Sequence, residues 1–299
     1  MYDLIIVGAG PAGITAAIYA VRKRIESLVI TRDIGGQTAL SGDVENYTGY
    51  QFITGPELVL KFEEHLRKFN IALKENEAIR IVEKTGPFIQ VKTDKALYES
   101  KSVIIASGKR SRELNVPGEK EFKNKGLTYC ATCDGPLFSG KDVAIIGGGN
   151  SALDAAIQLM KIANKVYIVN IAPELTGDAV MREAVQGSDK VSVLNNTNVE
   201  EVLGARMVSG IRIKKDGAQS LLSVQGVFVE IGLIPNSDFI SGVNKNSSGE
   251  IIVNSRNETN IPGIFAAGDV TDVPEKQIVI AAGEGAKAAL GVFKYLIYH

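Results

Sequence analysis

Short apolar runs alternate along this chain with glycine-rich loops and with stretches of helical spacing. Leu4-Ile5-Ile6-Val7 is one such run; a glycine loop follows, then a helical stretch from Ile14 to Arg22, then the β-type run Leu28-Val29-Ile30. The same order returns further on: Val143-Ala144-Ile145-Ile146, a second glycine loop, a helical stretch from Leu153 to Ile162, and Val166-Tyr167-Ile168-Val169. Leu4 to Gly13 reappears as Val143 to Ala152 at a constant offset of 139 residues. The pattern predicts strand, loop, helix and strand twice over, an internal repeat of one supersecondary unit.

Phe88-Ile89-Gln90-Val91 and Val103-Ile104-Ile105-Ala106 predict β-structure closing the first unit, while Gly210-Ile211-Arg212-Ile213 and Gly226 to Gly232 continue the second. The polar stretch Asn244 to Glu250 reads as a crossing linker. Beyond it, Ile264-Phe265-Ala266-Ala267 ends in Gly268-Asp269, and a final helix runs from about Gln277 to Tyr298. This last part has no glycine loop of its own, so it is expected to return to the first unit. The expected architecture is α/β, with two doubly wound, Rossmann-like nucleotide-binding domains, the second inserted into the first. The first domain is discontinuous, 1–113 plus 245–299, and the inserted domain covers 114–244.

The loop residues have separate physical tasks. Gly8 and Gly147 allow the tight turn, Gly10 and Gly149 let the backbone approach a pyrophosphate, and Gly13 and Ala152 let helix and strand pack closely. Pro11 and Ala12 in one loop, and Asn150 and Ser151 in the other, complete a helix N-terminus whose free N–H groups point at phosphate.

Charge narrows the function classes. The net charge is −1, with neither a basic stripe nor a long run of like charges, so no overall field favours nucleic acid or an anionic membrane. No apolar stretch reaches membrane-span length and no basic leader precedes a small-residue cleavage site, which makes the cytoplasm the expected compartment. Cys130 and Cys133 are the only cysteines, spaced Cys130-Ala131-Thr132-Cys133 just ahead of the second glycine loop. In that compartment such a pair is redox-active or metal-binding. A tetrahedral metal site needs four ligands, and the chain has two histidines, His65 and His299, so no metal is expected. A closable dithiol beside bound redox cofactors passes electron pairs to an outside disulfide.

Taken together, the Gly8 loop, Gly35-Gly36-Gln37-Thr38, Glu45-Asn46-Tyr47, Tyr129 to Gly135, the Gly147 loop, Gly263 to Asp269 and Lys276-Gln277-Ile278 resemble the low-molecular-weight thioredoxin reductases. They are equally similar to the related flavoprotein component of alkyl hydroperoxide reductase. The resemblance implies FAD on the first unit: Gly8, Gly10, Pro11, Ala12 and Gly13 at the pyrophosphate, Gly35, Gly36, Gln37, Thr38 and Asn46 along the flavin, and Gly268 and Asp269 at the ribityl chain. Thr31, Arg32, Ala106 and Gly108 complete the implied contacts. Lys276, Gln277 and Ile278 open the last helix, whose N-terminal dipole would stabilise negative charge on the reduced ring. It further implies that Cys133 faces the flavin, that Cys130 attacks the partner disulfide and that Asp134 moves the proton. The implied partner is a thioredoxin- or glutaredoxin-like protein, and the implied assembly a homodimer.

The second nucleotide site departs from the pattern. NADPH-specific thioredoxin reductases carry a His-Arg-Arg run at the end of the second strand, where this chain has Asn170-Ile171-Ala172-Pro173-Glu174. A doubly charged 2′-phosphate without arginine partners is poorly bound, so NADPH is disfavoured. NADH is the expected donor, with the amide of Asn170, or Glu174, at the ribose hydroxyls and Gly147, Gly149, Asn150, Ser151 and Ala152 at the phosphates. The alkyl hydroperoxide reductase flavoprotein also carries an extra N-terminal dithiol domain not matched here, so a separate protein is expected to take the electrons. Three other readings remain open: the same reductase fed by a donor such as ferredoxin, a dithiol oxidase, and a non-catalytic flavin-binding sensor.

Overall fold

The run Leu4-Ile5-Ile6-Val7 forms the centre of the strand Tyr2–Ala9, and its side chains sort alternately onto two cores. The computed structural model describes residues 1–298, Gly42 and Glu45 excepted; the side chains of Leu40, Asp43, Thr132 and Cys133 also lie outside the described residues. Leu4 and Ile6 pack with Ile14 and Ala17 of the helix Pro11–Arg22 and with Ala288 and Val292 of the C-terminal helix Ile278–Tyr298. Ile5 and Val7 face the other way, into Leu28, Ile30, Val103, Ile105, Ile240 and Ile251. A parallel strand covered on both faces has no solvent side, so every position in its centre is apolar.

Two units divide the chain, Met1–Arg110 with Ile234–His299, and Ser111–Leu233. The sheet of the first unit runs Ala72–Lys74, Ser27–Ile34, Tyr2–Ala9, Leu97–Ile105, Phe88–Thr93, Ile79–Thr85. Leu97–Ile105 branches: its first half pairs antiparallel with Phe88–Thr93, and Val103 to Ile105 pair in parallel with Ile264–Ala266. The late strand therefore returns to the first unit, as the sequence predicts. The helices Pro11–Arg22 and Ile278–Tyr298 meet through small residues; a Cβ on Gly285 would stand 2.0 Å from the Ala12 carbonyl oxygen.

The second unit repeats the plan in a fully parallel sheet ordered Leu127–Thr128, Gly226–Val229, Asp142–Ile146, Lys165–Val169, Val191–Leu194. Val143 and Ile145 enter one core, Ala144 and Ile146 the other. A three-stranded antiparallel sheet, Thr197–Gly204, Val208–Lys215 and Ala218–Leu222, completes this unit. The two chain crossings, Lys109–Ser111 and Leu233–Pro235, pair with each other. Among the described residues no helix is long and apolar enough to cross a membrane.

The boundaries differ from the sequence reading, most at the second crossing. It falls at 233/234 rather than 244/245, and the stretch Asn244 to Glu250 is not a linker. Val82 donates its N–H to the Phe239 carbonyl, Ile240 and Ile251 are core residues, and Lys245 bridges to Ile251. Backbone pairing, which leaves no trace in side-chain polarity, holds this polar stretch on the first unit.

Candidate functional site

The first glycine loop is shaped by backbone atoms that leave no room for a side chain. Gly8 has φ +100°, and a Cβ there would lie 2.4 Å from the Ala106 carbonyl oxygen; a Cβ on Gly13 would lie 1.9 Å from the Gly8 oxygen. Gly10 differs: the nearest atom to its would-be Cβ is the Gly35 oxygen at 3.9 Å. Gly8 and Gly13 thus close the turn, while Gly10, at the N-cap of the helix opened by Pro11, keeps open the space a pyrophosphate needs. Ala12 is buried and joins the helix core. Buried Thr31 accepts the Ala9 N–H at 3.2 Å, and Gly35 donates its N–H to the Ala9 carbonyl at 2.7 Å, so the second strand is tied to the loop. Arg32 is exposed at that strand's end.

Most of the remaining first-unit residues converge. Gln37 donates to the Lys109 carbonyl at 2.8 Å, and Asn46 to the Gln277 side chain at 3.1 Å, just before the helix that begins at Ile278. Gly36 has φ +55° and Gly108 φ +63°, both with open space around the missing side chain except for the Gly10 Cα, 3.7 Å from Gly36. Thr38 is buried, whereas Glu45 lies outside the described residues. Gly268 donates its N–H to Glu284 at 3.3 Å, which fixes the turn carrying Asp269. Burial raises the Asp269 carboxyl above its usual range, against the opposing pull of Lys276 and Lys109.

Lys109 and Lys276 share one carboxylate that the sequence reading missed. Their ammonium groups lie 2.6 Å and 3.1 Å from the same oxygen of Glu250, whose other oxygen accepts from Asn246 at 2.6 Å. Burial alone would raise the Glu250 pKa, but these bonds outweigh it and pull it down from 4.5 to about 2. A carboxyl depressed in the folded state adds stability above pH 4.5 and loses it as the pH falls toward 2, here about 3 kcal/mol. Denaturation midpoints of the wild type and Glu250→Gln, taken from pH 7 to pH 3, are therefore expected to differ most at pH 7 and to converge on acidification. A gap that stays constant would refute the assignment.

In the second unit the dithiol segment is held by two carboxylates. Glu119, buried, accepts the Tyr129 hydroxyl at 2.7 Å and the N–H groups of Leu114 and Asn115, both at 2.6 Å. Burial, with Glu119 close by, raises the Tyr129 phenol well above its ordinary value and keeps it a donor. Cys130 is disulfide-bonded, and its N–H donates to the Thr128 hydroxyl at 3.2 Å. That hydroxyl in turn donates to Asp134 in a short bond, and the Asp134 N–H returns to the Cys130 carbonyl at 3.2 Å, closing the helix Ala131–Asp134. Asp134 is thus tied to the motif through the Thr128 hydroxyl and the Cys130 carbonyl; the side chain of Cys133 lies outside the described residues. Burial, with Asp154 adding to it, pushes the pKa of a further carboxyl, Glu230, up to about 7 against the opposing pull of the Ala131 backbone.

The second glycine loop copies the first. Gly147 has φ +139°, a Cβ there would lie 2.2 Å from the Glu230 carbonyl oxygen, and Ala152 is fully buried where Gly13 stands in the first copy. Gly149 again faces open space, with the Thr176 hydroxyl at 3.9 Å from its would-be Cβ, and Ser151 is exposed. Asn150 accepts the Asp178 N–H at 2.7 Å, and Thr176 donates its N–H to the Gly148 carbonyl at 2.8 Å, so the segment 171–178 is strapped to the loop.

Asn170 does not present its amide as the sequence suggests. It is 3% exposed, and its Nδ2 donates toward the Ala172 and Glu174 carbonyls and the Asn195 side chain at 3.2, 2.9 and 2.9 Å. Its Oδ1 accepts the Ala172 N–H at 3.2 Å. A Cβ on Gly148 would stand 2.4 Å from that oxygen, so the glycine makes room for the inward turn. An amide has two N–H donors, and these are already engaged. Asn170 holds the loop in place of reaching ribose hydroxyls, while Glu174 is exposed.

The family model for pyridine nucleotide-disulphide oxidoreductases matches residues 2–285. A protein named NADH dehydrogenase from Bacillus subtilis (strain 168) is 44% identical over 299 residues, 99% of this chain and 59% of that protein. A Staphylococcus aureus (strain MRSA252) protein named as a component of alkyl hydroperoxide reductase is 43% identical over 300 residues, with 99% and 59% covered. The chain therefore spans about three-fifths of the length of these curated relatives. Among solved structures, thioredoxin reductase from Lactococcus lactis superimposes with a TM-score of 0.85 at 33% identity, covering 100% of both chains.

Proposed function

Since this chain belongs to the pyridine nucleotide-disulphide oxidoreductase family, as a flavoenzyme of thioredoxin-reductase type, we propose that it reduces the disulfide of a separate thioredoxin- or glutaredoxin-like protein with electrons from NADH. The observation that carries the proposal is the dithiol segment itself: Cys130, in the disulfide state, lies in the same parallel-sheet unit as the second glycine loop.

FAD, when bound along the first glycine loop, supplies a two-electron store between the donor and the dithiol. Gly8, Gly10 and Gly13 shape the pyrophosphate cradle, and the open space at Gly10 fits it. Asp269 stands on a fixed turn, and Lys276 and Gln277 precede the last helix. In the second unit, Cys130 is the thiolate that attacks the partner disulfide, and Asp134 holds or delivers the proton through its bond to Thr128.

NADH is favoured over NADPH because the segment 171–178 contains no lysine or arginine and Ile171 is 76% exposed where the NADPH-specific enzymes have a cation. Arg182, the next arginine along, turns its guanidinium to the Leu175 carbonyl at 3.3 Å. The NADH-named relative supports the same choice. Anaerobic stopped-flow mixing of the yellow holoenzyme with NADH and with NADPH tests it. Bleaching of the flavin is expected at least about tenfold faster with NADH. Equal rates would remove the specificity argument.

The inward-turned Asn170 favours one competing reading, a donor that does not use the second glycine loop. Bleaching by reduced ferredoxin with none by NADH would establish that reading and overturn the first.

A further inference from the structure

The carboxylate of Glu250 joins three segments of the first unit and belongs to none of them. One of its oxygens takes the ammonium groups of Lys109 and Lys276, at 2.6 Å and 3.1 Å, and the other accepts from Asn246 at 2.6 Å. From Lys109 the connection runs back to the loop Gly35 to Thr38, because the Lys109 carbonyl accepts from the Gln37 side chain at 2.8 Å. From Lys276 it runs to the turn that carries Asp269. The same ammonium donates to the Thr271 carbonyl at 2.5 Å, and Thr271 donates its N–H and its hydroxyl to the Gly268 carbonyl at 2.9 and 2.8 Å. Gln277, next along the chain, accepts from Asn46 at 3.1 Å. Residues 273–277 form neither strand nor helix, so it is the ammonium bonds that pin Lys276. The backbone around Glu250 is held without its side chain: Ile251 donates to the Val270 carbonyl at 2.9 Å, and Asp272 to the Ile251 carbonyl at 3.0 Å.

Resting on the reading of the first glycine loop and the Asp269 turn as the FAD site, we infer that Glu250 is a positioning residue of that site. Its carboxylate gathers Lys109 and Lys276 and so fixes, ahead of the cofactor, the spacing of the Gln37 loop, the Asp269 turn and the start of the last helix. Two ammonium groups drawn to one oxygen repel each other once that charge is removed. The side chains of Lys109, Glu250 and Lys276 are 11%, 14% and 21% exposed, so little water is at hand to solvate the cations where they stand. Without the carboxylate, Lys276, the more exposed of the two, swings outward and leaves the Thr271 carbonyl without its donor. The turn and the helix start then lose their common anchor, while the backbone pairs of Ile251 persist. Glu284 clasps the same turn separately, through the Gly268 N–H and the Thr271 hydroxyl, both at 3.3 Å. Glu250 alone of these two carboxylates is also connected to the Gln37 loop, and it acts entirely through the lysines.

Equilibrium dialysis of the holoenzyme at pH 7 against graded FAD, read by flavin absorbance, gives the dissociation constants of the wild type, Glu250→Gln, Lys276→Met and the double variant. Glu250→Gln is expected to hold FAD about thirtyfold more weakly, the scale of a charged hydrogen-bond network lost from a buried place. Lys276→Met is expected to weaken FAD about tenfold in the wild type but about threefold or less in Glu250→Gln, where the lysine has already left its place. Affinity within about twofold of the wild type in Glu250→Gln would overturn the inference. So would an equal cost of Lys276→Met in both backgrounds, the result that a carboxylate serving stability alone would give. If Glu250→Gln does not fold, Glu250→Asp keeps the charge and loses the reach of one methylene. It is expected to weaken FAD about fivefold or more, and wild-type affinity there would overturn the inference. A wild-type protein that takes up no FAD at all would remove the cofactor reading itself, a result distinct from equal binding by wild type and variant.

Discussion

Cys130→Ser is expected to abolish reduction of a protein disulfide, a fall of about a thousandfold or more, while bound FAD and its bleaching by the electron donor persist. The reason lies in where the sulfur stands. Its backbone is fixed at both ends, through the N–H to Thr128 and through the carbonyl to the Asp134 N–H, so serine enters the same backbone geometry with a smaller oxygen in place of the sulfur. A serine hydroxyl neither ionises near pH 7 nor exchanges with a disulfide, so the chemistry is lost with little change in shape. Thiols released from a thioredoxin-type disulfide, measured alongside anaerobic flavin absorbance, separate the two half-reactions. Undiminished thiol release would sink the assignment of Cys130.

Gly13→Val is expected to cost the first unit its cofactor and about 3 kcal/mol or more of stability. A Cβ at this position would overlap the Gly8 carbonyl at 1.9 Å, and Gly8 is itself pressed against the Ala106 backbone. Neither neighbour is the tip of a flexible side chain, so relief requires the helix Pro11–Arg22 to move off the strand Tyr2–Ala9. Gly10→Ala provides the contrast. Its Cβ meets nothing closer than 3.9 Å in the protein, so the fold should survive while the space for the pyrophosphate shrinks. Flavin-to-protein absorbance ratios and denaturation midpoints distinguish the pair: the first variant loses both, the second chiefly the flavin. A yellow Gly13→Val protein with the wild-type midpoint would contradict the cradle.

The doubled strand–loop–helix was legible in the sequence because both of its signals are local. A continuous apolar run is what a parallel strand covered on two faces requires, and glycine is forced wherever a carbonyl occupies the place of a Cβ. The return of Ile264–Ala266 to the first sheet followed from the missing third glycine loop. What escaped depends on the tertiary structure. Asn170 reads as a ribose ligand until Gly148 is seen to make room for its amide, and Asn244 to Glu250 reads as a linker until its backbone is seen to pair. The Lys109–Glu250–Lys276 group joins residues from three distant segments, and nothing in the spacing of any one of them announces the others.

The insertion of one unit into the other also sets an order of events at the ribosome. The second unit is a single uninterrupted stretch, Ser111–Leu233, and holds all the strands of its own parallel sheet. The first is not complete until Ile264–Ala266 has joined Leu97–Ile105, Glu284 has reached the Gly268 turn and Gly285 has seated on Ala12. The nascent chain thus emerges with its earliest glycine loop half built, and must hold that loop open while the inserted unit is synthesised and free to fold. Stable uptake of FAD accordingly belongs to the final moments of synthesis or after release, and a ribosome stalled near residue 270, with the last few tens of residues still in its exit tunnel, would display a folded dithiol unit on a first unit unable to retain its flavin.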